Sequence, residues 1–456
     1  MRIAVVGGLA AGPAAAAEAK RRAPEADVVM IEAGRHVSVG VCEIPYAVSG
    51  KVPADALEVL TASNLERTRG IDVWTRSRVT RLDARRGELT VDALDYGSTR
   101  TERFDRIVLA TGARARRLGV DGEDAAGVFT IRDLADTHAV MRWLDTEAVR
   151  HAVVAGGGYI GLEMAEALRR RGVRATVLEP RGRVLGSTIA CEASDLMDRA
   201  VAQAGVAVRP ERAAGLLADD HGRVRAVRTD RGEVVGCQMV VVAVGVEPRT
   251  DLATEAGAEV GTSGGLAVDD RMRTSLRGVW ACGDAVEVPR CPDGRRVHWP
   301  LATVARRTAR VAARNAVARG GTADRFEPVA RSVAVRAFGV EAASVGLSQA
   351  DAEAAGFDAV AVDVRHVTRT SAFPGSRPID VRLVAERGSG RLLGGQLVSA
   401  EGAALRANVL VPLVCAGALA ETLAEDLDLI YNPPVAPAVD PLKVAAREAM
   451  KAAQRG

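Results

Sequence analysis

Two glycine-rich turns, each entered from a short apolar run and followed by a helix-like stretch, constrain this 456-residue chain most strongly. The first spans residues 5–12 (VVGGLAAG) and the second spans residues 154–161 (VAGGGYIG). Turns of this kind join a strand to a helix in βαβ units, where glycine lets the backbone approach a pyrophosphate. The sequence therefore predicts two dinucleotide-binding domains, each built on a parallel sheet.

Further β-rich runs at 28–31, 107–109, 151–155 and 239–243 predict the buried strands of these sheets. Residues 279–284 (VWACGD) predict a strand that returns to the first domain, so that domain is split around the second. From about Arg331 the pattern changes to strands near 333–335 and 380–384, then helices near 403–416 and 441–452. The predicted fold class is α/β, with two Rossmann-like domains and a C-terminal α+β domain. The predicted boundaries are 1–115 and 246–325 for the split domain, 116–245 for the inserted one and 326–456 for the last.

Composition places the chain among ordinary globular proteins, with 48% hydrophobic and 26% charged residues. A net charge of +3 gives no reason to expect nucleic acid as a partner. No apolar run reaches the ~18 residues of a membrane span, and the chain opens directly on a strand, so we expect no membrane partner, no signal peptide and a cytoplasmic location. The six cysteines lack metal-ligand spacing, so we predict no metal site and expect most of them to be thiols.

Each glycine-rich unit is followed by a strand that ends in a carboxylate. Glu32 can bond ribose hydroxyls at the first turn, although Leu9 stands where the generic pattern has its second glycine. Glu179 plays the same part at the second turn and repels a 2′-phosphate, which favours NADH. Because Arg181 and Arg183 follow closely and could receive a phosphate, NADPH stays possible.

Cys42 is the cysteine that most suggests chemistry, since it follows the first dinucleotide unit in the segment 38–46 (SVGVCEIPY). A thiol must ionise to react, because the thiolate is the nucleophile. The alternative is a buried, inert thiol, as for most lone cysteines. No second cysteine lies nearby, so two-electron storage would use a mixed disulfide or a sulfenic acid at Cys42.

The pattern Ser-x-x-x-Cys-x-x-Pro-Tyr from Ser38 to Tyr46, together with the two turns, resembles the single-cysteine branch of the flavin disulfide reductases. That branch contains coenzyme A-disulfide reductases, NADH peroxidases and oxidases, and persulfide reductases, and the resemblance runs along nearly the whole chain. It implies FAD on the first domain, NAD(P)H on the second, and dimerisation through the third. It also implies an enzyme that moves electrons from NAD(P)H through FAD to a disulfide or persulfide at Cys42, whose thiolate a helix N-terminus would favour.

The same resemblance supplies further site residues. Tyr159 would cover the flavin where nicotinamide stacks, although plain helix packing is the alternative, and Glu163 would lie near that site. Asp284 would lie near the ribityl chain of FAD, and Tyr431 would reach Cys42 of the other subunit. The complete predicted cofactor-binding set is Gly7, Gly8, Ala11, Gly12, Glu32, Ala110, Thr111, Gly112, Gly156, Gly158, Tyr159, Ile160, Gly161, Glu163, Glu179, Gly245, Gly283, Asp284, Leu301 and Ala302.

A long anionic sulfur substrate such as coenzyme A disulfide requires cations. The resemblance points to the end of the first helix and to one face of a later helix that carries Arg307, Arg310 and Arg314; the alternative is a solvated basic face in an arginine-biased protein. The predicted substrate residues are Lys20, Arg21, Arg22, Ser38 and Arg307.

The chain departs from the family pattern at several positions. Glu43 follows the cysteine where glycine is common, and Phe373 and Val435 replace tyrosines. Peroxidases and oxidases of the branch carry a histidine where this chain has Ala10, which disfavours peroxide or oxygen as the oxidant. The alternatives left open are an NADH oxidase or peroxidase, a specialised flavoenzyme acting on an unusual sulfur compound, and a redox-sensing flavoprotein that binds NADH without turnover.

Overall fold

The computed structural model describes residues 1–186, 188–189, 191–318 and 324–454, apart from the side chains of 191–194. The elements up to residue 115 are β1 Arg2–Val6, α1 Ala11–Arg22, β2 Asp27–Ile31, α2 Ile44–Val48, α3 Ala62–Arg69, β3 Asp72–Trp74, β4 Ser77–Asp83, β5 Glu88–Ala93, β6 Ser98–Arg103, β7 Arg106–Leu109 and β8 Ala113–Ala115. Those of the middle part are β9 Val128–Thr130, α4 Leu134–Thr146, β10 His151–Ala155, α5 Tyr159–Arg170, β11 Arg174–Leu178, α6 Cys191–Gln203, β12 Ala207–Arg209, β13 Ala213–Ala218, β14 Val224–Thr229, β15 Val234–Gly236, β16 Met239–Val242 and β17 Val246–Pro248.

The remaining elements complete the split domain and form the C-terminal one. Those up to residue 317 are α7 Asp251–Glu255, β18 Val279–Ala281, β19 Val288–Pro289, β20 Arg296–Val297 and α8 Ala302–Val317. The last are β21 Val333–Ala337, β22 Val340–Gly346, α9 Gln349–Ala354, β23 Ala359–Val367, β24 Pro378–Glu386, β25 Leu392–Ser399, α10 Ala403–Ala407, α11 Leu410–Ala416 and α12 Pro441–Gln454.

The first sheet is parallel and has the strand order β18-β7-β1-β2-β3. Its strands are almost entirely buried, because α1 and α8 cover it and pack against each other. Continuous apolar strands are what a parallel sheet covered by helices needs. The returning strand β18 pairs with β7, so the first domain is split as the sequence predicts.

The second sheet, β12-β11-β10-β16-β9, is also parallel and holds the second glycine-rich turn after β10. The antiparallel pair β8 and β17 marks the place where the chain passes out of the first domain and back. Two small antiparallel sheets, β4-β5-β6 and β13-β14-β15, accompany the parallel ones.

The C-terminal domain carries an antiparallel sheet in the order β21-β22-β25-β24-β23, against which α12 packs. The sequence predicts one helix over 403–416, whereas the structure ends α10 at Ala407 and starts α11 at Leu410. The predicted fold class, two Rossmann-like domains with an α+β domain, is confirmed.

Cys291 and Cys415, to which the sequence analysis gave no role, are joined by a disulfide between the split domain and α11. Among the described residues, no helix has both the length and the apolar composition needed to span a bilayer. In the same part of the chain, no three histidine, cysteine or acidic side chains cluster as metal ligands would.

Candidate active site

The first turn needs glycine at two positions, because a side chain there would collide with backbone carbonyl oxygens. Gly7 has φ +110°, and a methyl group there would lie 2.1 Å from the carbonyl oxygen of Ala110. A methyl group on Gly12 would lie 1.8 Å from the carbonyl oxygen of Gly7. Both glycines therefore let α1 start directly against the ends of β1 and β7.

Glu32 is held in place by backbone amides at the end of β2. Its Oε2 accepts a hydrogen bond from the amide of Gly8 at 2.6 Å, and its Oε1 accepts one from Gly34 at 2.7 Å. A carboxylate has about four lone-pair positions, so two stay open for ribose hydroxyls. Helix α1 has no side-chain cap, which leaves its first amides available to an anion.

A cleft of about 320 Å³ opens in front of this turn. Its walls include Gly7, Gly8, Ala11, Glu32, Ala110, Thr111, Gly112 and Asp284 from the predicted cofactor-binding set. FAD fits this cleft. The fixed Glu32 carboxylate suits its ribose, and the open amides at the helix start, with two arginines in the cleft wall, suit its pyrophosphate.

Arg132 and Arg249 are functional candidates that the sequence analysis missed. Both line the cleft, and Arg132 lies 3.3 Å from the carboxylate of Asp284. Burial, followed by repulsion from Arg132, lowers the pKa of Arg249. Two guanidinium groups so placed would neutralise a pyrophosphate. One sequence signal could have found Arg132: it follows β9, and ligands gather at the carboxyl ends of parallel strands.

The second turn repeats the first almost contact for contact. Gly156 has φ +105°, and a methyl group on Gly161 would lie 2.0 Å from the Gly156 carbonyl oxygen. Oε2 of Glu179 accepts a hydrogen bond from the amide of Gly157 at 3.0 Å. A methyl group on Gly158 would meet nothing within 4 Å, so packing does not require glycine there. The open space beside Gly158, at the uncapped start of α5, suits a second dinucleotide.

Tyr159 and Glu163 lie on α5, which starts at this turn. The Tyr159 hydroxyl donates to Oγ1 of Thr188 at 2.9 Å, and burial raises the pKa of Tyr159. Glu163 accepts a weak hydrogen bond from the hydroxyl of Tyr46 at 3.4 Å. Burial raises the pKa of Glu163 to about 7, so its carboxyl group changes charge near neutral pH.

Cys42 lies in a short 3₁₀ turn, Val41–Glu43, whose first residue lines the cleft. The side chain is accessible to solvent in the chain alone, yet the pKa of its thiol is raised. Loss of part of its water shell is the largest cause, followed by the negative charges of Glu43, Glu163 and Asp284. Arg132 opposes them.

This environment differs from the expected one, in which a helix N-terminus favours the thiolate. The helix after Cys42 is α2, which has only five residues, and burial together with the surrounding carboxylates raises the pKa of the thiol. The Glu43 side chain folds back over Gly40, where a methyl group would lie 2.4 Å from Oε2. The thiolate therefore depends on cationic help from Arg132 or from a bound ligand.

The other free thiols described are buried. Burial raises the pKa of Cys237 to about 11 and that of Cys282 to about 12, so neither forms a thiolate at neutral pH. Cys282 is fully buried in the core of the split domain. Cys42 is thus the accessible thiol among the described cysteines.

The remaining predicted cofactor residues lie at the edges of the site. Leu301 precedes α8 and Ala302 begins it, while the Gly283 amide donates to Oγ1 of Thr308 inside the same helix. Gly245 lies in the connection between β16 and β17, with φ +103°. Ile160 packs beside the core of the second domain.

The predicted substrate cations are largely engaged within the protein. Lys20 donates to the carbonyl oxygen of Ala26. Arg21, Arg22 and Arg314 all pair with Glu18, which is only 3% exposed. Arg307 donates to the carbonyl oxygen of Glu327 and lies over the ring of Phe326, and Ser38 has φ +53°.

Tyr431 and its neighbours are exposed in the single chain. Ile430 is 85% exposed, Tyr431 53% and Val435 64%. They lie in the loop before α12. The described residues of the same chain do not cover the apolar side chains of this loop, so it exposes a large apolar surface.

Fold and site together define a two-nucleotide flavoprotein oxidoreductase with an accessible cysteine beside the first cleft. Residues 1–309 match the family model of pyridine nucleotide-disulphide oxidoreductases, and residues 333–442 match the dimerisation domain of the same family. The chain belongs to this family. The predicted class, FAD-dependent NAD(P)H:disulfide oxidoreductases, and the predicted cofactors FAD and NAD(P)H are confirmed.

Three known proteins illustrate the family's range. The chain is 33% identical to an NAD(P)H sulfur oxidoreductase (CoA-dependent) of Pyrococcus abyssi, over 98% of this chain and 97% of that protein. It is 28% identical to an NADH oxidase of Methanocaldococcus jannaschii, over 99% of both chains. The structure of an NAD-dependent persulfide reductase from A. fulgidus matches with a TM-score of 0.95 and 33% identity, over 99% of this chain and 83% of that one.

Proposed function

We propose that this chain is an NADH-dependent reductase of coenzyme A-type disulfides or persulfides, with Cys42 as its redox cysteine. The observation that carries the proposal is the position of Cys42. It is an accessible thiol beside the first cleft, and it shares the charged neighbours Asp284 and Arg132 with that cleft.

Bound FAD supplies the two-electron chemistry, with NADH as the reductant. The Cys42 thiolate attacks one sulfur of the substrate disulfide, which forms a mixed disulfide and releases the first substrate thiolate. Two electrons then break the sulfur–sulfur bond at Cys42, which regenerates its thiolate and releases the second substrate thiolate. NADH oxidation liberates one of the two protons that these thiolates need, and solvent supplies the other.

Cationic surface at the end of α1 and on α8 supports an anionic substrate. Arg69, Arg306 and Arg310 line one shallow pocket between these helices, together with Arg21 and its partner Glu18. Arg310 also lines a second pocket, beside Arg307. Fixed guanidinium groups of this kind bind phosphates well.

The Glu179 carboxylate supports NADH over NADPH, because its position beside Gly157 suits a ribose diol and repels a phosphate. The exposed apolar loop around Tyr431 supports a homodimer in which the Tyr431 hydroxyl serves the partner's site as proton donor. We also propose a cytoplasmic location, where NADH and coenzyme A thiols are available.

Replacement of Cys42 tests the proposal. In Cys42→Ser we expect NADH to reduce the flavin at nearly the normal rate, whereas turnover of coenzyme A disulfide falls at least ~10³-fold, because the nucleophile is gone. Stopped-flow reduction and steady-state NADH oxidation measure the two steps separately. Normal disulfide turnover in the Ser variant would show that Cys42 is structural.

The same assay tests the alternative that the protein is an NADH oxidase, which the similarity to the Methanocaldococcus protein supports. Ala10 has no ionisable side chain to assist oxygen or peroxide chemistry, so both should be poorer oxidants than a coenzyme A disulfide. A higher kcat/KM for oxygen or peroxide would favour an NADH oxidase or peroxidase instead.

A further inference from the structure

The loop after Glu179 carries two arginines whose side chains flank the same glycine. A methyl group on Gly186 would lie 3.0 Å from Cγ of Arg183 and 3.2 Å from Cδ of Arg181. The loop also closes over the second turn, because the amide of Leu185 donates to the carbonyl oxygen of Gly157 at 2.7 Å. The loop that carries both arginines therefore lies against the second glycine-rich turn, where the proposed function places the adenosine ribose.

Asp198 on α6 neutralises one of these two arginines. Nη2 of Arg183 donates to Oδ2 of Asp198 at 2.8 Å, and the side chains are 18% and 33% exposed. Arg181 is exposed and uses its backbone amide, at 3.2 Å, to bind Oε1 of Glu179. Among the described residues, the guanidinium of Arg183 has a carboxylate partner in Asp198, whereas that of Arg181 has none.

We infer that Asp198 is a specificity-determining residue, which disfavours NADPH by holding Arg183 away from a 2′-phosphate. A phosphate at this ribose would have to compete with the Asp198 carboxylate for the Arg183 guanidinium. It would also meet the negative charge of Glu179. NAD⁺, which has free ribose hydroxyls, meets neither obstacle.

The inference rests on the proposed function only through the second dinucleotide site. Its test is therefore nucleotide binding, which stays measurable even if Cys42 proves not to be the redox cysteine. The FAD-bound enzyme is titrated with NADP⁺ and with NAD⁺ in a calorimeter, for the wild type and for Asp198→Asn.

We expect Asp198→Asn to bind NADP⁺ about threefold to fivefold more tightly, which is the range of one partly exposed ion pair. Its affinity for NAD⁺ should stay within about twofold of the wild type. The gain should disappear in Arg183→Ala/Asp198→Asn, because no guanidinium is left to release.

Two control variants separate this effect from a general change in helix α6. Asp195→Asn removes the same charge three residues earlier and should leave both affinities unchanged, and Asp198→Glu keeps the charge and should keep the preference. An unchanged NADP⁺ affinity in Asp198→Asn would overturn the inference. So would equal gains for both nucleotides, or a gain that persists in the Arg183→Ala background.

Discussion

Burial, followed by acidic neighbours, raises the pKa of the Cys42 thiol. Among the neighbouring charges, Glu43 raises the thiol pKa most. Glu43→Gln should therefore lower the thiol pKa and increase the thiolate fraction at neutral pH. The pH dependence of iodoacetamide alkylation of the oxidised enzyme measures this directly. Its midpoint should move to lower pH, whereas the distant, exposed Glu255→Gln should leave it in place.

Glu163 gives a stability prediction whose sign follows from its pKa of about 7, raised by burial. A carboxyl group with a raised pKa stabilises the fold below its unfolded pKa and loses that contribution as pH rises through 7. At pH 8, the free energy of unfolding of Glu163→Gln should therefore exceed that of the wild type by about 2 kcal/mol, and the variant should unfold at a higher temperature. At pH 5, the two proteins should unfold at nearly the same temperature.

Differential scanning calorimetry of the FAD-bound proteins at the two pH values makes this comparison. Glu255→Gln replaces an exposed carboxylate on α7 and is the control, which should leave the difference in stability between the two pH values unchanged. A Glu163→Gln variant that is less stable than the wild type at pH 8 would contradict the raised pKa.

The position of a residue can be predicted from sequence where the residue has a fixed place in a motif. Glu32 and Glu179 end strands after glycine-rich turns, and the structure puts both carboxylates on the turn amides. Arg249 could not be singled out, because arginine dominates the basic residues of this chain, and Arg132 is distinguished only by its position just after β9. Their role emerges only when two domains bring them to one cleft.

The two glycine-rich elements allow packing and ligand access to be tested separately. Gly158 has φ −75° and open space around it, so Gly158→Ala should fold normally and retain FAD. The added methyl group would occupy the space of a bound dinucleotide, so NADH affinity should fall by about tenfold or more.

Gly12→Ala is the informative contrast, because its methyl group would collide with the Gly7 carbonyl oxygen inside the protein. That variant should lose FAD or fail to fold. Calorimetric titration with NAD⁺ measures nucleotide binding by Gly158→Ala, and the flavin absorbance of the purified proteins measures the loss of FAD from Gly12→Ala. Normal binding of the nicotinamide nucleotide by Gly158→Ala would contradict the second nucleotide site.

Element bounds were predictable wherever apolar strands enter a covered parallel sheet. The predicted run 151–155 coincides with β10, and 28–31 lies within β2. The break between α10 and α11 has a local cause that the predicted helix over 403–416 overlooks, because Pro412 has no N–H to bond the carbonyl of Asn408 and its ring disfavours a continuous helix there. In contrast, the distance of 124 residues between Cys291 and Cys415 hides their pairing from any local pattern.

At the scale of the whole molecule, a shared active site can be tested by mixing subunits. If Tyr431 serves the partner's Cys42, each single variant, Cys42→Ser and Tyr431→Phe, should be deficient in disulfide turnover as a homodimer. A heterodimer of the two variants contains one intact site and should recover about half of the wild-type rate.

Heterodimers purified with two different affinity tags permit the measurement. Full activity of a monomer in sedimentation, or no recovery in the heterodimer, would place the whole site within one subunit.

The carboxylates of Glu32 and Glu179 are anchored by amides of their own chain before any nucleotide arrives. The conformational entropy of these side chains is therefore lost when the protein folds, not when it binds. Under the proposed roles of Glu32 and Glu179, nucleotides would meet preorganised ribose sites, and the free energy of their hydrogen bonds would not be spent on ordering the protein. The folding of the strands and turns, not the ligand, would then set much of the affinity for both nucleotides.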